Sequence, residues 1–150
     1  MKSTNTTTYR ALNTYTKLMR AAESVTSRVS RTMGAADLTI SQFGVLEALL
    51  HKGPLCQRDI AAKILKSTGN ITLVIDNLEK RGLVRRERTS EDRRYLTIQL
   101  TDQGLELIRQ VFARVEAAIV AEMRVLTNDE QETLGLLCKK LGLKGGDCTG

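Results

Sequence analysis

Residues 57–100 read QRDIAAKILKSTGNITLVIDNLEKRGLVRRERTSEDRRYLTIQL, and this stretch decides the fold. Its start, residues 57–65, has the pattern of a short amphipathic helix, and a polar break at residues 66–69 follows it. Residues 68–81 predict a second helix. The apolar positions of that helix follow the i, i+3, i+4, i+7 spacing of one buried stripe: Ile71, Val74, Ile75 and Leu78. The pattern therefore predicts two helices joined by a tight turn.

The rest of the stretch has the pattern of a β-hairpin. Leu96, Ile98 and Leu100 alternate with polar residues, which is the period of a half-buried strand. Residues 83–88 can pair with this strand across a polar tip at residues 89–93. Five arginines lie on or beside the hairpin: Arg85, Arg86, Arg88, Arg93 and Arg94. Two helices followed by a basic hairpin predict a winged helix-turn-helix.

The flanking sequence predicts more helices and one short strand. Residues 8–33 and 102–125 each carry a long apolar stripe, and a last helix is expected to end near Leu141. Capping-box patterns at Thr39 and Thr127 mark two helix starts. Three more local features are expected: Leu55 as a third strand, Cys56 at the N-cap of the first helix of the module, and Thr101 as the cap of the second long helix. Helices this long need an apolar partner beyond one small core.

Charge and composition limit the function. The net charge is +6, and residues 52–100 carry eleven Lys and Arg against six Asp and Glu, as a phosphate-binding surface requires. No stretch is long and apolar enough for a membrane span, and the N-terminus has no signal-peptide pattern, so we expect a cytoplasmic protein. Three dispersed cysteines and one histidine predict neither a disulfide framework nor a metal site. No catalytic constellation is recognisable, so we expect neither an enzyme nor a bound cofactor.

Three segments resemble the MarR family of bacterial transcriptional regulators. They are SQFGVLEALLHKGPL at residues 41–55, DIAAKILKSTGNITLVIDNLEKRGLV at residues 59–84, and SEDRRYLTIQLTDQG at residues 90–104. A D-R-R hairpin followed by L-T-x-x-G is the most specific part of the resemblance. It covers roughly residues 39–104, while the long flanking helices match in placement and length.

The resemblance implies a homodimeric, sequence-specific regulator of double-stranded DNA. Residues 1–150 would form one winged-helix protein, mainly α with a small antiparallel β-wing. Residues 39–104 would be the DNA-binding module, and residues 5–34 and 102–143 a helical dimerisation region. Family members bind pseudo-palindromic operators, with a recognition helix in each major groove and each wing at a neighbouring minor groove. Most repress transcription and are released by a small molecule or by thiol oxidation. The alternative is a winged-helix module that binds protein and makes no DNA contact.

Candidate DNA-binding residues follow from the same motif. On the recognition helix and its entry they are the polar residues Lys66, Ser67, Thr68, Asn70 and Thr72. In the wing, Arg94 is expected in the minor groove with Asp92 orienting its guanidinium, while Arg86, Arg88 and Arg93 are expected to meet phosphate. Two simpler interpretations remain open: Ser67 as an N-cap only, and the hairpin as a solvated charged surface.

Control of such a regulator has two candidate locations. A small aromatic or other small-molecule effector is expected between the N-terminal helix, the helix of residues 41–51 and the long helix after Thr101. The candidate lining residues are Tyr15, Met19, Phe43, Leu46 and Phe112. Cys56 at a helix N-cap is a candidate redox residue, although a cysteine can simply replace the usual capping serine there. Family members that sense organic hydroperoxides have their cysteine early in the first helix, where this chain has none. Cys138 is expected to lie in the core.

Overall fold

The computed structural model describes residues 3–64, 68–88 and 95–143, and side chains at all of these except residues 3, 4, 68 and 69. The described elements are α1 (Ser3–Gly34), α2 (Ile40–Lys52), β1 (Leu55–Cys56), α3 (Gln57–Lys63), α4 (Thr68–Lys80), β2 (Val84–Arg88), β3 (Leu96–Leu100), α5 (Asp102–Met123) and α6 (Asn128–Gly142). The predicted fold class, mainly α with a small antiparallel wing, is confirmed. The chain divides into two compact units, residues 1–116 and 117–150.

The core of the first unit forms around α4. Ile71, Ile75 and Leu78 have no exposed surface, as the helical spacing predicts. The same buried cluster contains Leu46 of α2, Ile60 of α3, Ile98 of β3 and Ile108 of α5. Burial of large aliphatic side chains contributes about 1.5–3 kcal/mol each, so this stripe fixes which side of α4 faces solvent.

The sheet has the strand order β1-β3-β2, and both pairs are antiparallel. Leu55 of β1 pairs with Ile98, which confirms the expected third strand. Arg86 of β2 also pairs with Ile98, from the other side. Directly paired residues project from the same face of a sheet, so Arg86 lies on the face that carries the buried Ile98. The pattern of the hairpin did not indicate this inward placement of Arg86.

The L-T-x-x-G motif joins the wing to α5. The hydroxyl of Thr101 donates to the carbonyl of Gly82 at 2.6 Å, and its backbone N–H donates to the carbonyl of Leu83 at 3.1 Å. The Thr101 hydroxyl also accepts from the N–H of Gly104 at 3.0 Å, which is the expected cap of α5. A Cβ at Gly104 would lie 1.9 Å from the carbonyl oxygen of Leu83. The glycine is therefore needed for this close approach.

Capping signals located the starts of α2 and α6 well, whereas α1, predicted from residue 8, begins at Ser3. Thr39 and Thr127 form the predicted capping boxes with Gln42 and Glu130, and both reciprocal hydrogen bonds are present. The ends are less accurate: α3 ends at Lys63 instead of residue 65, and α5 ends at Met123 instead of residue 125. The final turn of a helix carries little sequence information when tertiary contacts decide where it stops.

Large apolar surfaces of the long helices stay exposed in the single chain. In α1 the exposed fractions of Tyr9, Leu12, Tyr15 and Met19 range from 48% to 68%, whereas Val29 is buried. In the second unit, α6 exposes Leu134, Leu136, Leu137 and Leu141 by 40% to 64%. Cys138 is exposed as well, so its predicted core position is wrong for this chain by itself. Among the described residues, no helix is long and apolar enough to cross a membrane.

We expect Gly104→Ala to destabilise the protein by about 1–3 kcal/mol or more, because the new Cβ overlaps backbone that cannot rotate away. Gly34→Ala is the control, since a Cβ there meets nothing within 4 Å and Gly34 ends α1 without a positive φ. It should leave stability unchanged or raise it by up to about 1 kcal/mol. Chemical denaturation of the two variants tests this. Equal stabilities would contradict the close approach.

Candidate nucleic-acid interface

The exposed residues of α4 whose side chains are described are polar except for Leu73, which is 63% exposed. Asn70 is exposed and Thr72 is half-buried. Of the other residues predicted to read DNA, Thr68 begins α4, but its side chain lies outside the described part, as do Lys66 and Ser67 altogether. The described residues therefore place the recognition helix and two of its five candidate contacts.

Gln57 contacts one of the candidate DNA-binding residues and was not among those predicted. It is the first residue of α3, and its side-chain amide donates to the hydroxyl of Thr72 at 2.5 Å. This hydrogen bond spans the helix-turn-helix and fixes the position of the Thr72 hydroxyl on the outer side of α4. A polar residue at the start of a short helix gives no indication of a partner fifteen positions away, so the sequence held no specific signal for it.

The outward face of β2 carries one basic and one acidic residue, Arg85 and Glu87. Arg85 is exposed, donates to the side chain of Gln99 at 3.2 Å and lies 3.6 Å from the carboxylate of Glu87. Arg88 at the end of β2 lies on the same face as Arg86, where it is exposed. The remaining predicted wing contacts, Asp92, Arg93 and Arg94, lie outside the described residues. The described strands thus lead to the predicted wing tip without including it.

Arg86 has different surroundings from the other wing arginines. Its guanidinium donates to Asp76 at 2.5 Å and to Glu79 at 2.8 Å, and its backbone N–H donates to Glu79 at 3.1 Å. Its side chain is 22% exposed. Burial lowers the pKa of Arg86, but the hydrogen bonds and charges of the two carboxylates outweigh this effect and raise the pKa above its ordinary value. A phosphate that bound Arg86, as predicted, would have to compete with the carboxylates of Asp76 and Glu79.

The other end of α4 contacts the turn after α1. Arg81 donates to the carbonyl of Asp37 at 2.6 Å, and Asp37 has a positive φ of 58°. Arg81 separates two open clefts, of about 460 and 330 Å³. Neither cleft is lined by any of the five residues predicted for an effector pocket.

The predicted effector residues have different environments in the single chain. Phe43 and Leu46 belong to the buried core, while Tyr15 and Met19 are 62% and 48% exposed. Phe112 contacts the ring of His51 edge to face, with ring centroids 4.9 Å apart. Core residues and exposed residues of this kind do not by themselves enclose a ligand.

Redox or metal chemistry has little structural support among the described residues. Cys56 occupies the N-cap position of α3 as predicted, but its side chain makes no capping hydrogen bond. Within residues 3–64, 68–88 and 95–143, no three His, Cys, Asp or Glu side chains gather where they could hold a metal ion.

Known proteins that resemble this chain are DNA-binding regulators of the helix-turn-helix type. The family model described as "MarR family" matches residues 38–96. The chain is 34% identical to the uncharacterized HTH-type transcriptional regulator YkoM of Bacillus subtilis, over 89% of this chain and 87% of YkoM. It is 33% identical to the HTH-type transcriptional regulator MhqR of the same organism, over 91% of this chain and 94% of MhqR.

A solved structure extends the comparison to the fold. The structure of BpsR from Bordetella bronchiseptica, whose DNA binding is described as regulated by 6-hydroxynicotinic acid, aligns with a TM-score of 0.76 at 25% identity. The alignment covers 83% of this chain and 89% of BpsR.

Proposed function

Because the chain belongs to the MarR family of DNA-binding transcriptional regulators, we propose that it is a homodimeric repressor of a pseudo-palindromic operator. Two copies of α4 would enter successive major grooves, and two wings would reach the neighbouring minor grooves. A bound dimer would then block access to a promoter. A regulator of this kind would bind chromosomal DNA, so we expect it to act in the cytoplasm.

One observation carries this proposal: Ile71, Ile75 and Leu78 are fully buried, so the opposite side of α4 faces outward beside the basic wing. Asn70 is exposed on that side, and Thr72 is half-buried at its edge. Hydroxyl and amide groups can hydrogen-bond base edges or phosphate oxygens, and a helix N-terminus favours phosphate. For the residues outside the described part, Lys66, Ser67, Asp92, Arg93 and Arg94, the proposed contacts are supported by the family motif.

The exposed apolar surfaces support the homodimer. An exposed apolar patch of this extent usually marks a protein interface. The exposed tyrosines and leucines of α1 and the exposed leucines of α6 lie at the two ends of the chain, outside the winged module. A two-fold dimer would bury them and fix the distance between the two recognition helices. The alternative function, a winged helix that binds protein alone, explains neither the basic wing nor the outward polar residues of α4.

We expect binding to a selected operator to depend steeply on salt. About eight phosphate contacts imply a slope near −7 in a plot of log affinity against log salt. Arg94→Ala should weaken operator binding by about 30-fold or more, because a minor-groove guanidinium is lost from each half-site.

Arg109→Ala is the matched control, since this exposed residue of α5 carries the same charge outside the winged module. Fluorescence anisotropy with the two variants measures the difference. Equal losses, or no retention of the wild-type protein by any duplex at low salt, would overturn the proposed function.

For the dimer, we expect Leu137→Glu to shift the protein toward monomer. Leu137 is 58% exposed on the apolar side of α6, and the substitution would place a carboxylate in the proposed interface. Lys139→Glu places the same group on the polar side of that helix and should leave the dimer intact. Sedimentation velocity at micromolar concentration distinguishes the two. A wild-type protein that sediments as a monomer would contradict the homodimer.

A small aromatic acid is the effector that we propose, on the analogy of BpsR and 6-hydroxynicotinic acid. The expected site lies near Tyr15, Met19, Phe43, Leu46 and Phe112, where a dimer would cover the exposed part. A ligand at 100 times its Kd stabilises the folded protein by about 2.7 kcal/mol. A thermal-shift screen of aromatic acids should therefore find a compound that raises Tm and weakens operator binding. Compounds that raise Tm without any effect on DNA binding would contradict an effector role.

A further inference from the structure

Three charged side chains connect the recognition helix to the wing. Asp76 and Glu79 lie one turn apart on α4, and Arg86 lies on β2. One nitrogen of the Arg86 guanidinium donates to Asp76 and another to Glu79, at 2.5 and 2.8 Å. Glu79 also accepts from the backbone N–H of Arg86 at 3.1 Å, so its carboxylate holds the strand as well as the side chain. We call Asp76, Glu79 and Arg86 the helix–wing tie.

The register of the sheet explains why Arg86 makes these contacts. Arg86 pairs with the buried Ile98 and shares its face, which is the face toward the core. Its neighbours Arg85 and Glu87 point to the opposite face, where they are more than half exposed. An inward arginine needs a partner, because an unpaired charge there would be costly. Asp76 and Glu79 supply that partner from the adjacent side of α4.

We propose that Arg86 is a positioning residue whose contacts with Asp76 and Glu79 set the angle between the recognition helix and the wing. This inference rests on the proposed function, in which α4 and the wing contact different grooves of one operator. A bidentate-type arrangement restricts the guanidinium more than a single ion pair does, and the backbone contact adds a second anchor. Operator affinity then depends on Arg86 without any phosphate contact by its side chain.

The charge of the tie argues against direct phosphate binding. One arginine faces two carboxylates, so the formal charge of the group is −1. A phosphate that approached Arg86 would also come close to both carboxylates, and its negative charge would be repelled by theirs. The two roles therefore predict opposite effects when a carboxylate is neutralised. Loss of an acidic charge should strengthen DNA binding if Arg86 contacts phosphate, and should weaken operator binding if Arg86 positions the wing.

The experiment measures the affinities of four proteins for the selected operator and for a random duplex, over a series of salt concentrations. The proteins are the wild type, Glu79→Gln, Arg86→Gln and the double variant. Glu87→Gln is the matched control, because it removes one acidic charge from the outward face of β2, away from the helix–wing tie. Thermal melting establishes that each variant is folded, and Asp76→Asn replaces Glu79→Gln if that variant fails to fold.

We expect Glu79→Gln and Arg86→Gln each to weaken operator binding by about tenfold, with random-duplex affinity changed less than about twofold. The double variant should be no weaker than either single variant, because the tie acts as one unit. The salt slope of Arg86→Gln should equal that of the wild type. A purely structural defect would lower both affinities by the same factor.

Three results would overturn the inference. They are tighter operator binding by Glu79→Gln, a salt slope about 1 unit shallower per lost contact in Arg86→Gln, and equal losses on both duplexes. Failure of the wild type to bind any duplex would instead refute the proposed function, so the two failures are distinguishable.

Discussion

The complete burial of one side of α4 is the constraint on which the rest of this structure depends. Ile71, Ile75 and Leu78 have no exposed surface, and their neighbours come from α2, α3, β3 and α5. A helix held this way cannot rotate about its axis without exposing large aliphatic side chains to water. The exposure of Asn70 follows from this burial.

The groups around α4 add directional contacts to that burial. Gln57 fixes the Thr72 hydroxyl from α3, Arg86 joins the acidic side of α4 to the wing, and Arg81 joins its end to the turn after α1. Hydrophobic burial determines which face is presented, whereas hydrogen bonds and ion pairs determine angle and register. A DNA-reading surface needs both, because two grooves have to be met at once.

Periodic patterns predicted the elements from the sequence, and capping signals located several of their starts. The Thr39 and Thr127 capping boxes and the stripe of α4 depend on residues within one or two turns, so a linear sequence contains them. The Gln57 and Arg86 contacts depend on pairing across the fold. The hairpin pattern grouped Arg86 with Arg88 as a phosphate contact, whereas the strand register places Arg86 on the inward face and the exposed Arg85 on the opposite one. A one-residue change of register would have exchanged these faces. Cys138 is exposed although its burial was predicted. An apolar stripe does not indicate whether the same chain or another molecule covers it.

In the proposed dimer, the exposed helices would set the spacing between the two winged modules, and the modules would make the DNA contacts. The tie of α4 to the wing and the contact of Arg81 with Asp37 bracket the recognition helix at both sides. A change in the helices that set the spacing would therefore move α4 and the wing together. That coupling suits a regulator whose affinity depends on the distance between two half-sites.

Methylation interference on an operator selected from random duplexes tests the central claim most directly, namely that the outward side of α4 reads the major groove. A methyl group on guanine N7 projects into the major groove, and one on adenine N3 projects into the minor groove. We predict that N7 methylation weakens binding in two half-sites about one helical turn apart, with minor-groove interference confined to the flanks. Tight, specific binding that is indifferent to N7 methylation throughout the site would contradict the account.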